Sequence, residues 1–93
     1  MKKLTLFYLE HCPYCKNARR ALDALYEENP AYRAVEIDWV EESRQSALAD
    51  TYDYYNVPAV FAGREKLYEA KPTHSYETIR DNLAAALEAA LAE

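Results

Sequence analysis

Residues 4–15 read LTLFYLEHCPYC and join a run of apolar residues to the two cysteines of the chain, Cys12 and Cys15. The run, residues 4–9, is apolar on both alternating faces, which is typical of a short central strand covered on each side. Pro13 suits the first turn of a helix, because its missing N–H group is not needed there. The stretch therefore predicts a strand that leads directly into a helix, with Cys12 at the junction.

The composition limits the kind of protein. A chain of 93 residues, 51% of them hydrophobic, predicts one packed domain spanning residues 1–93. Eleven basic and sixteen acidic side chains give a net charge of −5, so we expect no binding to nucleic acid or to an anionic membrane. Two cysteines are too few for a disulfide-rich secreted domain, and the apolar run is too short for a signal peptide or a membrane span. We expect a cytoplasmic monomer.

The first half of the chain predicts two strands joined by a helix. After Cys12, apolar residues recur at helical spacing and define one buried face: Cys15, Ala18, Ala21, Leu22 and Leu25. The pair Asn29-Pro30 ends this helix. Residues 32–38 alternate between apolar and polar side chains, which predicts a second strand nearer the sheet edge. A strand, a helix and a strand in this order predict a right-handed parallel crossover.

The second half of the chain begins with a predicted helix over residues 41–54. Its buried face would carry Ala47, Leu48, Thr51, Tyr52 and Tyr55. Residues 57–62 and 66–70 predict two short strands. Gly63, the one glycine of the chain, lies between them and predicts a hairpin turn with a positive φ angle.

A last helix completes the predicted fold. Thr73 or Ser75 would cap it, and its buried face would carry Ile79, Leu83, Ala86, Leu87, Ala90 and Leu91. The resulting order is β-α-β-α-β-β-α. The sequence therefore predicts an α/β fold with a four-stranded mixed sheet flanked by helices.

The spacing of the cysteines suits redox chemistry, because two thiols two residues apart can close a small disulfide or open to a dithiol. A helix N-terminus carries unpaired N–H groups and a partial positive charge, which stabilise a thiolate. We therefore expect Cys12 to be an exposed nucleophile with a lowered pKa. Cys15 lies one turn further on the apolar face, where we expect a buried resolving thiol. The spacing of His11 and His74 matches no common zinc pattern, so no metal is expected.

Pro58 is the second feature that bears on function. A proline near the start of a strand removes a backbone donor from the sheet. If the Val57–Pro58 bond were cis, the N–H and carbonyl groups of Val57 would be free to pair with an extended substrate. General frequencies of X–Pro bonds favour the trans form, so the sequence leaves both isomers open.

The motif Cys12-Pro13-Tyr14-Cys15, followed about forty residues later by Asn56-Val57-Pro58, resembles the glutaredoxin family. This resemblance implies a thioredoxin-like fold of the glutaredoxin type and a dithiol enzyme that reduces protein disulfides or glutathione mixed disulfides. It implies that Cys12 is the nucleophile, that Cys15 resolves, and that Val57 contacts the cysteinyl backbone of glutathione or a peptide. Tyr14 flanks the thiols, and Tyr54 precedes the Val57-Pro58 loop, so both are candidates for substrate contacts.

Two regions depart from the family pattern. Leu9 stands where these proteins usually carry a lysine, and residues 70–75 read AKPTHS in place of a glycine pair and an aspartate. Lys71 would supply the missing positive charge. No bound cofactor is expected, and the reductant is either glutathione or a flavoprotein reductase. The alternative to an enzyme is a thioredoxin-fold binding module or a dedicated redox partner of one protein that does not use glutathione.

Overall fold

The computed structural model describes residues 2–92 and contains four strands and three α-helices. In chain order these are β1 (Leu4–Tyr8), α1 (Pro13–Glu28), a 3-10 helix (Pro30–Ala34), β2 (Ile37–Glu41), α2 (Ser46–Ala49), β3 (Ala59–Ala62), β4 (Glu65–Glu69) and α3 (Tyr76–Ala92). The predicted order of strands and α-helices is confirmed, with the 3-10 helix as an addition. Among the described residues, no helix is long and apolar enough to cross a membrane.

The four strands form one mixed sheet in the order β2-β1-β3-β4. Strand β1 is parallel to β2 and antiparallel to β3, and β3 is antiparallel to β4. The predicted interior position of β1 and edge position of the second strand are therefore confirmed. Alternate residues of β1 point to opposite faces of the sheet, so Leu4 and Leu6 enter one core layer and Phe7 enters the other.

The larger core layer lies between the sheet and the helices α1 and α3, which pack against each other. The whole predicted apolar face of α1 is buried, and so is that of α3 except for the half-buried Leu91. The hydroxyl of Ser75 accepts a hydrogen bond from the Thr78 N–H group at 3.1 Å. Ser75 rather than Thr73 therefore caps the last helix.

The prediction of a strand over residues 32–38 is wrong in its first part. The side-chain oxygen of Asn29 accepts a hydrogen bond from the Ala31 N–H group at 3.2 Å, which starts the 3-10 helix. This turn buries the ring of Tyr32, and the Tyr32 hydroxyl donates to Glu88 of α3 at 2.6 Å. The chain thus makes a helical turn against α3 before β2 begins.

The predicted second helix exists, but its predicted extent over residues 41–54 is wrong, because α2 has only four residues and Glu41 belongs to β2. The rings of Tyr52 and Tyr54 both pack on Phe7, with centroid distances of 4.8 and 4.9 Å. Two residues separated by one position do not share a helix face, so the chain has to leave the helix for both rings to reach Phe7. Four of the five members of the predicted buried face are exposed instead: Ala47, Leu48, Thr51 and Tyr55. The exposed fraction is 41% for Leu48 and 90% for Tyr55.

The predicted hairpin turn at Gly63 is confirmed by its φ angle of 60°. Replacing Gly63 by alanine should lower the free energy of unfolding by about 1–2 kcal/mol, because this backbone conformation crowds a Cβ atom against the chain. No other atom lies within 4 Å of the added Cβ, so only backbone strain contributes. The free energy of unfolding should fall less in the Gly63→Asn variant, since asparagine tolerates this conformation better than alanine does. Urea denaturation measures both losses, and equal losses would contradict the explanation.

Candidate active site

The first turn of α1 positions the two thiols. Cys12 has an extended backbone conformation and is the N-cap residue of the helix, with Pro13 as the first helical residue. The Cys15 N–H group donates a hydrogen bond to the Cys12 sulfur at 3.3 Å. The sulfur of Cys12 therefore meets the unpaired N–H groups of a helix start, which favour a negative charge there.

The two thiols differ in exposure. Both are free, and Cys12 is partly exposed whereas Cys15 is 5% exposed. The pKa of Cys15 is raised to about 12, chiefly by burial; a backbone hydrogen bond with Leu9 opposes this rise, and the neighbouring Cys12 and Glu42 contribute to it. The predicted difference in exposure is confirmed, while the catalytic roles of the two cysteines stay predictions. Within residues 2–92, no three His, Cys, Asp or Glu side chains are grouped so as to hold a metal ion.

The loop before β3 lies against the thiol of Cys12. The Val57–Pro58 peptide bond is cis. The Cys12 sulfur donates a hydrogen bond to the Val57 carbonyl oxygen at a distance of 3.8 Å. The Pro58 carbonyl accepts a hydrogen bond from the Ala70 N–H group at 3.0 Å, which ties this loop to the end of β4. The two motifs that are 45 residues apart in sequence therefore meet at one point.

A carboxylate that sequence reasoning missed holds this loop in place. Glu69 accepts hydrogen bonds from the N–H groups of Tyr55 and Asn56 at 3.1 and 2.9 Å, and from the Asn56 amide at 3.3 Å. Its side chain is 9% exposed and pairs with Lys66 at 2.7 Å. Burial alone would raise the pKa of Glu69, but the hydrogen bonds from Lys66 and the loop hold it below its ordinary value. Glu69 thus fixes the backbone that leads into Val57.

A second missed carboxylate, Glu41, braces the loop that precedes Cys12. It is 8% exposed and accepts hydrogen bonds from the Ser43 hydroxyl and N–H at 2.5 and 2.7 Å, from the Arg44 N–H at 3.3 Å and from the Glu10 N–H at 3.2 Å. The Ser43 hydroxyl is the main cause that holds the pKa of Glu41 below its ordinary value; burial opposes it and the backbone donors add to it. The apolar pair Trp39-Val40 was the signal that the strand continues to this residue.

The remaining predicted contact residues fall into two places. The Tyr14 hydroxyl donates a hydrogen bond to the Pro72 carbonyl, so the start of α1 touches the exposed loop that carries Lys71. The Lys71 N–H group donates to Nδ1 of His74 at 3.3 Å, which orders this loop. Tyr54 instead stacks on Phe7 in the smaller core layer, and its hydroxyl donates to Glu42 at 2.6 Å. Its expected substrate contact stays a prediction.

Comparison with known sequences agrees with this geometry. The sequence model of the glutaredoxin family matches residues 4–67, more than two thirds of the chain. The chain belongs to the glutaredoxin family. Membership supports the general class of thiol–disulfide oxidoreductases. Among curated protein sequences, no significant match is found.

Solved structures show the same fold at low sequence identity. A malarial protein has a TM-score of 0.62 at 16% identity, covering 95% of this chain and 94% of its own. A mutant thioredoxin from Halobacterium salinarum NRC-1 has a TM-score of 0.57 at 21% identity, with 94% and 72% covered. Human ERp44 in its zinc-bound form has a TM-score of 0.60 at 21% identity, with 91% of this chain but 27% of ERp44 covered. These likenesses establish the thioredoxin-like fold of this glutaredoxin family member.

The difference between the thiols predicts selective alkylation. At pH 8 a thiol with a pKa of about 12 is ionised in about one molecule in ten thousand, and only the thiolate reacts. Brief treatment of the reduced protein with iodoacetamide should therefore label one thiol per chain. Mass spectrometry should find the label on Cys12 in the wild type and almost no label in the Cys12→Ser variant. Equal labelling of both cysteines would contradict the burial of Cys15.

The carboxylate of Glu41 predicts a pH-dependent contribution to stability. Because its pKa is lower in the folded than in the unfolded protein, it stabilises the fold above the ordinary glutamate pKa, about 4.3. This contribution is lost as the pH falls through the lower folded value. Glu41→Gln should therefore unfold at lower urea than the wild type at pH 7, and the gap should close towards pH 3. Exposed Glu65→Gln is the control for removing one charge, and a gap that is constant with pH would contradict the assignment.

Proposed function

We propose that the protein is a cytoplasmic glutaredoxin-like thiol–disulfide oxidoreductase that reduces protein disulfides or glutathione mixed disulfides through Cys12 and Cys15. The observation that carries this proposal is the position of the Cys12 sulfur, which caps α1 and lies 3.8 Å from the Val57 carbonyl. A disulfide that reaches Cys12 would lie beside the backbone of Val57. An extended substrate segment could then pair with that backbone as an added strand does.

In the first step, the Cys12 thiolate attacks one sulfur of the substrate disulfide. A bond forms between the Cys12 sulfur and that sulfur, and the substrate S–S bond breaks. The leaving sulfur keeps the electron pair of the broken bond and takes up a proton. The N–H group of Cys15, directed at the Cys12 sulfur, supports the negative charge of the attacking thiolate.

In the second step, Cys15 loses its proton and attacks the Cys12 sulfur, so the reduced substrate leaves as a thiol. Part of the rise in the pKa of Cys15 comes from its hydrogen bond with Cys12 and from the charge of Cys12. A Cys12 sulfur that is bonded to substrate carries no negative charge, so it does not repel the Cys15 thiolate that attacks it. The substrate gains two electrons and two protons, and Cys12 and Cys15 become a disulfide that an external reductant has to open.

Beside the thiols, we assign the substrate contacts to Tyr14, Val57, Pro58 and the loop that carries Lys71. Tyr14 connects the first turn of α1 to that loop through the Pro72 carbonyl, which supports a shared surface. Lys71 is exposed there and would attract a substrate carboxylate. Tyr54 stacks on Phe7 in the smaller core layer, against which Val57 also packs, so Tyr54 would support the loop of Val57 and Pro58.

Replacing each cysteine tests the order of the steps. Cys12→Ser should reduce turnover of both a glutathionylated peptide and a protein disulfide to background, because a serine hydroxyl is not ionised at neutral pH. Cys15→Ser should retain turnover of the glutathionylated peptide when glutathione is present and lose that of the protein disulfide. Circular dichroism shows whether each variant is folded. Full activity of a folded Cys12→Ser variant would disprove the mechanism.

The source of electrons distinguishes an enzyme reduced by glutathione or by a flavoprotein reductase from a dedicated redox partner or a binding module. Turnover of the same disulfide substrate is compared with glutathione plus glutathione reductase and with thioredoxin reductase, each with NADPH. Activity with the first system assigns glutathione as the reductant, and activity with the second alone assigns a flavoprotein reductase. A folded protein that is inactive with both would favour a dedicated redox partner or a binding module.

A further inference from the structure

A pocket of about 770 Å³ lies between the first turns of α1 and strand β2, beside Cys12 and away from Tyr14 and Lys71. We call it the α1–β2 pocket. Its apolar wall is formed by Tyr8, Leu9 and Trp39, and its basic side by Lys16 and Arg19. The Cys12 sulfur, which carries the proposed chemistry, lies in the same lining. A segment bound at Cys12 can therefore extend into this pocket.

The two cations of the pocket have no acidic partner among residues 2–92. The guanidinium of Arg19 lies 4.3 Å from the Trp39 ring centroid, so Arg19 is held against the apolar wall of the pocket. Neither Lys16 nor Arg19 forms an ion pair with another of residues 2–92. Glu10, the carboxylate in the lining, is paired with Arg44 at 3.2 Å. Two positive charges thus face the pocket of a protein whose net charge is −5.

Helical geometry gives the spacing of the two cations from Cys12 along the axis of α1. Cys12, Lys16 and Arg19 follow one another at intervals of four and three residues, so they share one face of α1. With about 1.5 Å of rise per residue, Lys16 is about 6 Å and Arg19 about 10 Å along the helix axis from Cys12. An extended peptide advances about 3.3 Å per residue. The second and third residues from a cysteine bonded to Cys12 would therefore come opposite the two cations.

We propose that the α1–β2 pocket binds an aspartate or glutamate side chain two or three residues from the reacting cysteine of a polypeptide disulfide substrate. The carboxylate would pair with Lys16 and Arg19, and the hydrocarbon part of the side chain would contact Trp39. This inference rests on the proposed function and names a substrate preference for it. The basis of the inference is charge complementarity. Lys16 and Arg19 attract a carboxylate, whereas the rest of this acidic protein repels an acidic peptide.

The test uses seven-residue peptides whose central cysteine carries a 2-thiopyridyl disulfide. Attack of the Cys12 thiolate on the peptide sulfur breaks the S–S bond, and thiopyridone leaves with the electron pair and a proton, which its absorbance records. Glutamate, glutamine or lysine occupies the second and third positions on one side of the cysteine, in one series for each side. In the series whose variable residues lie on the side of the cysteine that enters the pocket, the glutamate peptide should react about fivefold faster than the glutamine peptide at low salt. The lysine peptide of that series should react more slowly than both. Sodium chloride at about 0.5 M should remove most of the difference.

Matched variants locate the effect. Lys16→Gln and Arg19→Gln should each reduce the preference for glutamate over glutamine about twofold to threefold, and together they should abolish it. Arg19→Lys keeps the charge and should keep most of the preference. Arg20→Gln is the control, because Arg20 is the next residue of α1 and its guanidinium lies over Tyr76 at 4.9 Å, outside the pocket. The Arg20→Gln variant should retain the full preference.

The outcomes separate this inference from the proposed function. If no peptide releases thiopyridone, the proposed reaction at Cys12 fails. If all peptides react at one rate, or if the double variant keeps the preference, the pocket assignment fails and the reaction stands. If Lys16→Gln and Arg19→Gln slow only the 2-thiopyridyl disulfide of glutathione and leave the glutamate peptides unchanged, the pocket belongs to glutathione and the polypeptide assignment is overturned.

Discussion

Strand β1 is paired on both edges and covered on both faces, and the position of the thiols depends on this double burial. Leu6 enters the layer beneath α1 and α3, while Phe7 meets Tyr52, Tyr54 and Phe61 on the opposite face. A strand held in this way cannot slide by one residue without exchanging its two buried sets of side chains. The chain therefore leaves β1 at one fixed place, and four residues later Cys12 caps the N-terminus of α1.

Two nearly buried carboxylates then fix the loops that meet at the Cys12 sulfur. Glu41 accepts the N–H group of Glu10 from the loop after β1, and Glu69 accepts two N–H groups from the loop before Val57. Each carboxylate accepts hydrogen bonds from backbone N–H groups of its loop, and such bonds to a charged acceptor are stronger than those between neutral groups. The contact between Cys12 and Val57 thus joins two loops that are held by separate carboxylates.

The sequence predicted the reacting residues of the site, because they lie close together in the chain. It did not predict the carboxylates that hold the surrounding loops, because these lie far from their partners in the chain. Cys12, Cys15 and Pro13 lie within one helical turn, so the capping sulfur and the buried second thiol follow from helical spacing alone. Glu41 and Glu69 could not be identified in this way, because their roles depend on loops 31 and 13 residues away in the chain. The stacking of Arg19 on Trp39, which joins α1 to the edge strand, could not be predicted either, because the two residues are distant in the chain.

The sequence by itself determined the order of strands and helices, the central position of β1, the turn at Gly63 and the placement of Cys12 at a helix start. These features follow from short-range periodicity and from the backbone restrictions of proline and glycine. Only the tertiary structure decided the end of α2 and the 3-10 helix before β2. In both places a distant partner, Phe7 for the tyrosines and Glu88 for Tyr32, outweighed the local preference of the chain. Burying an aromatic ring against the core stabilises more than one additional turn of helix does, so packing determined these segments.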